Sequence, residues 1–168
     1  MKRLARTRLP DPYLPWSPHW EALAFASANP GSAALISSNN RALYVPFYLP
    51  VSATVYALSF VATNGTGNYD IGIYNDTFAR LASSGSTAMT AAGVKTLATS
   101  LRLGAGKVFY AAFAFSSTAG TILRWAPGLR SVINAGLFQE DSAVPLPATA
   151  TPVRITETNM PLFALGVR

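Results

Sequence analysis

Tyr69-Asp70-Ile71-Gly72-Ile73-Tyr74-Asn75-Asp76 is the stretch on which the reading of this chain turns. Ile71 and Ile73 alternate with Asp70, Gly72 and Tyr74, the period-two pattern of a strand with one buried face. Asn75-Asp76 then supplies residues that tolerate tight-turn dihedrals, and Phe78-Ala79-Arg80-Leu81 leads back toward Ser83-Ser84-Gly85-Ser86-Thr87. The whole reads as a β-hairpin of an antiparallel sandwich. Downstream come a glycine turn at Gly93, the run Leu103-Gly104-Ala105-Gly106, and the apolar strand Lys107-Val108-Phe109-Tyr110-Ala111-Ala112-Phe113-Ala114-Phe115.

Working outward, short strands separated by turn residues are expected at Ala33–Ser37, Ala42–Leu49, Thr54–Ala62, Tyr69–Asn75, Ala79–Ser83, Lys95–Leu101, Val108–Phe115 and Thr121–Trp125. Such a series suits a double-sheet sandwich. Pro46 has no N–H to give a ladder, so its strand is expected at an edge or at a bulge. Asn64-Gly65-Thr66-Gly67-Asn68 is a turn. After Pro127, Val132-Ile133 and Gly136-Leu137-Phe138 suggest a further strand pair, and Ala143–Pro152 reads as a Pro/Ala/Thr linker. The apolar tail at Val153–Thr156 and Leu162–Leu165 is expected to dock, adding a strand to its own sheet or to a neighbour's. The fold class is therefore all-β, an antiparallel, jelly-roll-like sandwich over residues 31–142, with an extended arm at 1–30 and a C-terminal linker and docking tail or strand at 143–168.

The arm differs from the rest. Leu9-Pro10-Asp11-Pro12-Tyr13-Leu14-Pro15-Trp16-Ser17-Pro18-His19-Trp20 alternates prolines with large apolar groups and favours extended backbone. Met1 to Trp16 would reach on the order of 50 Å at about 3.1 Å per residue. Lys2, Arg3, Arg6 and Arg8 place +4 of the net +6 in the first eight residues, leaving +2 to the rest. Two readings of this segment stand side by side: a partner-binding arm that seeks an acidic surface, with Tyr13, Trp16 and Trp20 as anchors, or a solvated terminus whose tryptophans fold back on their own sandwich. Ser17 as N-cap, Pro18 and Glu21 point to a short helix ended by Asn29-Pro30-Gly31.

Half of the 168 residues are hydrophobic and only 12% are charged. Typical soluble domains carry about a quarter charged residues. A chain with so few charges either buries apolar surface against other subunits or is poorly soluble alone, and a permanent assembly component satisfies the first of these. The folded part shows no basic cluster interleaved with aromatics, which points away from nucleic acid. The longest apolar run, Val108 to Phe115, is far shorter than the roughly 20 residues a membrane-crossing helix needs, so no membrane partner is expected. The basic start meets Pro10, Pro12 and Pro15 without an apolar core, so no secretory signal is expected either.

Chemistry-bearing constellations are sparse. There is no cysteine, and His19 is the only histidine, so no cofactor, no metal and no catalytic residue is expected. Asn64, Asn68, Asp70, Asn75 and Asp76 gather around one hairpin, yet their spacing matches no calcium loop, and turn formation accounts for them. Asp70 and Asp76 invite comparison with glycosidase carboxylate pairs, and Glu140-Asp141 reads as a solvated loop. Gly104-Ala105-Gly106-Lys107 lacks the remaining residues of a phosphate-binding loop and reads as a turn. Tyr44, Tyr48, Tyr56, Tyr69, Tyr74 and Tyr110 include candidates for a sugar-stacking platform.

The hairpin at Tyr69–Thr87 followed by Gly104–Phe115 resembles the small β-sandwich domains of tailed-bacteriophage virion proteins, among them capsid decoration proteins and tail-fibre modules. The resemblance covers the middle third to half of the chain. It implies a non-enzymatic structural protein located in the virion, at the capsid surface. Its partners would be the major capsid protein or other virion proteins, and it would form a homo-oligomer such as a trimer. The alternative it implies is a tail-associated receptor-binding protein that recognises a cell-surface glycan.

Overall fold

The alternation seen at Ile71 and Ile73 is carried by every long strand of the sheet to which they belong. The computed structural model describes residues 21–22, 32–35, 40–125, 136–141, 143–156 and 160–168. In chain order the strands are β1 (Glu21–Ala22), β2 (Ser32–Leu35), β3 (Arg41–Tyr48), β4 (Ala53–Ala62), β5 (Asn68–Tyr74), β6 (Arg80–Ser83) and β7 (Thr87–Ala88). They continue with β8 (Gly93–Leu103), β9 (Val108–Phe115), β10 (Thr121–Trp125), β11 (Phe138–Glu140), β12 (Val153–Arg154), β13 (Met160–Pro161) and β14 (Phe163–Val167). Every pairing between them is antiparallel, and they form two sheets packed together, so the chain is an all-β sandwich.

Sheet A runs β1-β14-β4-β10-β13, with β8 on β4 and β2 on β10. Sheet B runs β12-β11-β3-β9-β5-β6, with β7 on β5. Between them lies the main core. β3 contributes Leu43, Val45 and Phe47, β5 contributes Tyr69, Ile71 and Ile73, and β9 contributes Phe109, Ala111, Phe113 and Phe115. From sheet A come Val55, Leu58, Phe60, Leu97, Phe163 and Leu165. Phe60 is the hinge of the aromatic packing, edge-on to Phe113 at 4.9 Å and to Tyr69 at 5.2 Å between ring centroids.

The even-numbered residues of the same strands form a second buried layer. Ala42, Tyr44, Tyr74, Ala112 and Ala114 point away from the main core and are covered by Ala143, Leu146 and Ala150. Residues 143–151 are thus a strap across the outer face of sheet B, after which β12 joins the sheet beside β11 and Ile155 enters the main core. The strap turns through a cis Val144–Pro145 peptide. The expected single buried face of β5 is accordingly two buried faces, because the strap seals the side that would otherwise meet water. Ala143–Pro152 shows no sign of a loose linker: the Ala143 N–H donates to Asn40 O at 2.7 Å, and that of Ala150 to Phe78 O at 2.9 Å.

Several expectations need correction. Glu21–Ala22 pair with Leu165 and Ala164 of β14 as a strand, where the capping pattern predicts the first turn of a helix; the remaining residues of that segment lie outside the described ones. Pro46 sits in β3, an interior strand between β11 and β9. It is accommodated because β11 stops at Phe138 opposite Tyr44, so no strand asks Pro46 for a hydrogen bond on that side. Val132-Ile133 lie outside the described residues, while Phe138 opens β11. The C-terminal tail adds β14 to its own sheet, pairing with β4 from Phe163 opposite Phe60 to Val167 opposite Val55.

Candidate functional site

The residues assigned to partner binding, Lys2, Arg3, Arg6, Arg8, Tyr13, Trp16 and Trp20, lie outside the described residues, as does His19. What the structure describes is the root of that segment: Glu21–Ala22 is hydrogen-bonded into sheet A beside β14.

Polar chemistry concentrates under the strap. Asp70 is fully buried on the outer face of β5. Its carboxyl oxygens accept from Ser83 Oγ at 2.8 and 3.1 Å, from Ser84 Oγ at 3.1 Å and from the Leu146 N–H at 2.9 Å. Ser83 and Ser84 are brought there by the hairpin, in which Gly72 pairs with Ser83. The Asn75 side chain shapes the turn, its Oδ1 accepting from the N–H groups of Thr77 and Ala79, while Phe78 takes a positive φ of 58°. Gly72 is required on steric grounds, since a Cβ there would lie 2.7 Å from the Ala82 carbonyl oxygen and 3.0 Å from Leu146 Cδ1.

Three further contacts fasten the strap. The Tyr74 hydroxyl donates to Pro147 O at 2.6 Å, Arg80 Nη1 donates to Leu146 O, and the Arg80 N–H donates to Ala148 O at 2.9 Å. On the far flank, Tyr44 donates its hydroxyl to Glu140 Oε2 at 2.8 Å, and Glu140 Oε1 accepts from the Thr151 N–H and hydroxyl. Gln139 Oε1 holds Thr156 in the same two-pronged way. Burial, with the Glu140 bond second, pushes the Tyr44 hydroxyl far above its ordinary range, and burial does the same to Tyr74. Both tyrosines are therefore neutral donors at any ordinary pH.

This arrangement is a latch in which the donors and acceptors satisfy one another. Asp70 and Asp76 do not form a pair. Asp76 is exposed in the β5–β6 turn, six residues further along the strand direction. The four residues from Asp70 to the end of β5 alone advance roughly 13 Å at about 3.3 Å per residue, beyond the ~5–9 Å of glycosidase carboxylates. Asp70 lies within β5, in the strand expected there, and its carboxyl group is held under the strap. Glu140 belongs to β11 and is half-buried rather than part of a solvated loop, whereas Asp141 is exposed and ion-paired with Arg41 Nε at 2.7 Å.

The candidate oxygen ligands are dispersed. Asn64 is committed to β10's approach, donating to Ala119 O and accepting from the Thr121 N–H. Among the described residues no group of three or more metal-ligating side chains gathers. The Gly104–Lys107 stretch is the turn from β8 to β9. Its amides are already engaged, Ala105 N–H with Ser52 Oγ at 3.0 Å and Gly106 N–H with Leu49 O at 3.1 Å, which suits a turn and not a phosphate cradle.

Of the six tyrosines considered for a sugar platform, Tyr44, Tyr69 and Tyr74 are buried, and Tyr110 stacks under Phe78 at 4.5 Å. Tyr56 is half-buried against Gly166, and only Tyr48 is exposed, at 52%. The strap latch went unseen in the sequence; the one signal for it was Leu146 between two prolines, an apolar residue where a linker has no use for one. No protein-family model matches the chain, and neither a curated protein nor a solved structure matches it.

Proposed function

We propose that this chain is a structural protein of a tailed-bacteriophage virion: a capsid decoration or cement protein that stabilises the shell through subunit and arm contacts and assembles as a homo-oligomer such as a trimer. The observation that carries this reading is the scarcity of charge, 12% of residues in a chain that is half hydrophobic. Two features of the body support it. The strap seals the outer face of sheet B, and β1, which follows residues 1–20 in the sequence, is paired into sheet A beside β14. A rooted arm contributes more to holding a neighbour than a loose one, since its far end explores a smaller volume.

The copy number of the chain in purified particles, measured by quantitative mass spectrometry against the major shell protein, tests the proposal. A simple integer ratio is expected. A few copies per particle would move the protein to the tail, and absence would end the virion reading. Deletion of residues 1–16 is expected to release the protein from shells; unchanged occupancy would remove the arm from the binding account.

The second reading is a tail-associated protein that recognises a cell-surface glycan. It is favoured by exposed Tyr48 alone, because the other candidate rings are buried or half-covered. A single ring supplies stacking for one sugar, so this reading ranks behind the first.

A further inference from the structure

Six large hydrophobic residues are exposed among the described ones, and three of them, Tyr48 (52%), Val51 (51%) and Val108 (41%), share one end of the sandwich. Tyr48 and Val108 are direct cross-strand partners in β3 and β9. Val51 lies in the segment that follows, between Leu49 and Ser52. Those two residues accept hydrogen bonds from Gly106 N–H and Ala105 N–H, which ties residues 49–52 to the Gly104–Lys107 turn. The turn depends on Gly106, whose φ of 74° is left-handed. The apolar end is therefore held in place before any partner arrives.

Cations surround it. Lys107 is exposed in the turn itself. Arg102 pairs across from Thr54, whose backbone exchanges two hydrogen bonds with Arg168, at 2.8 and 3.0 Å. Arg102 and Arg168, both exposed, thus flank the same end across β4. Asp76, in the turn beyond Tyr74, is the one carboxylate side chain at this end among the described residues; Glu140 and Asp141 belong to the opposite end, where Glu140 pairs with Ala42.

We propose that this end of the sandwich is a docking tip for an anionic lipid surface, in which Tyr48, Val51 and Val108 enter the boundary between headgroups and acyl chains while Lys107, Arg102 and Arg168 supply the attraction to phosphates. The area decides between partners. The three side chains offer on the order of 250 Å² of exposed apolar surface, against the roughly 450 Å² of apolar surface on each side of a standard protein interface. That is too little for a stable protein contact and suits shallow insertion, where a tyrosine ring is at home and cations add to binding. Sugar recognition fits less well, since residues 48–52 and 104–108 contain no side-chain amide or carboxyl to bond hydroxyl groups, and Asp76 in the β5–β6 turn is the one carboxylate side chain at this end among the described residues. The proposal does not rest on the shell reading. It departs from the expectation of no membrane partner, which concerned a spanning segment and not a tip that lies on a surface.

The test uses the full chain and extruded vesicles of phosphatidylcholine with or without 30% phosphatidylglycerol as a chosen probe, followed by co-sedimentation at about 0.1 M salt. Partitioning to the anionic vesicles is expected to exceed that to neutral ones at least about tenfold. The double variant Tyr48→Ser/Val51→Ser is expected to lower it about tenfold or more, and Lys107→Ala about fivefold. Val94→Ser, at an exposed valine opposite Val61 at the far end of β4, should change nothing. All four positions are exposed, so matching circular dichroism melts keep the comparison clean. The proposal is overturned by absent sedimentation with anionic vesicles, or by equal binding to neutral ones. It is equally overturned if the tip variants partition like the parent chain, which would assign the binding to the basic first eight residues. Tip variants that lose association with purified particles but keep vesicle binding would identify a protein partner and also end the lipid proposal.

Discussion

Replacing Asp70 by alanine removes the acceptor on which the strap closes. The side chain is fully buried and receives three donors, the Ser83 and Ser84 hydroxyls and the Leu146 N–H. The hydroxyls have partial recourse, because Ser84 Oγ lies 3.1 Å from Gly85 O and Ser83 Oγ still accepts from the Gly85 N–H. Leu146 has none: its side chain is 1% exposed and its amide would be left without an acceptor. An orphaned buried amide costs about 1–3 kcal/mol, and two lost hydroxyl bonds add roughly 1 kcal/mol each, for a total of about 3–5 kcal/mol. In a chain of this size that lowers the melting temperature by on the order of 6–20 °C. Asp70→Asn keeps an acceptor and the volume, and should lose less than half as much. Urea titration gives the global effect, and hydrogen exchange at the Leu146 amide reports whether the strap opens before the sandwich does. An alanine variant within about 1 kcal/mol of the parent, with Leu146 protection unchanged, would refute the latch and leave the strap to its apolar contacts.

Gly72→Ala should cost about 1–3 kcal/mol, because the new methyl group would meet a β6 backbone carbonyl that cannot yield without disturbing the ladder; an unchanged urea midpoint would show that β6 can shift. Phe60→Ala removes the ring shared by Phe113 and Tyr69 and should cost about 3–5 kcal/mol, read as a lower midpoint with an unchanged slope. Alkaline pH should destabilise the fold. Tyr44 and Tyr74 are held protonated in the folded chain above the ordinary value of 10.0, so the folded state binds more protons there than the unfolded state. Stability is complete below about pH 10 and falls above it by up to about 1.4 kcal/mol per pH unit for each group. Midpoints at pH 8 and pH 11 check this, Tyr44→Phe should flatten the slope, and equal midpoints would contradict the burial argument.

The strands were legible where both faces of the argument are local. Val108–Phe115 and Thr121–Trp125 are read with the bounds they have, because alternation and flanking glycines mark them without help from the rest of the chain. Glu21–Ala22 was not legible: Ser17, Pro18 and Glu21 carry a sound capping pattern, but the open edge of β14 offers backbone partners that local propensity cannot know about. Pro46 shows the same limit from the other side. Whether a strand is an edge is a property of each residue pair, and β11 is short enough to leave Pro46 free while β3 stays interior. The strap is the largest gap. A strap and a linker share Pro, Ala and Thr, and what separates them is Asp70, 76 residues before the amide it holds. For the candidate site, the sparseness of chemistry was visible in the composition, but which tyrosine is exposed depends on the strap and was not.

The strap also changes what the charge of the chain means. Counted along the sequence, residues after the first eight carry only +2. In the fold, the carboxyl groups of Asp70 and Glu140 are occupied beneath or beside the strap, and Asp141 is matched by Arg41. Lys107, Arg102, Arg154 and Arg168, by contrast, are exposed, with Asp76 as the exposed acid outside an ion pair among the described residues. The acids are used to close the outer face of sheet B, and the cations are left for the surface. The exposed cations of the described residues and the four within the first eight residues of the sequence thus carry the same sign. A chain with little charge in total thus shows an excess of exposed cations among its described residues, because most of the described carboxylates are spent on the strap or in an ion pair.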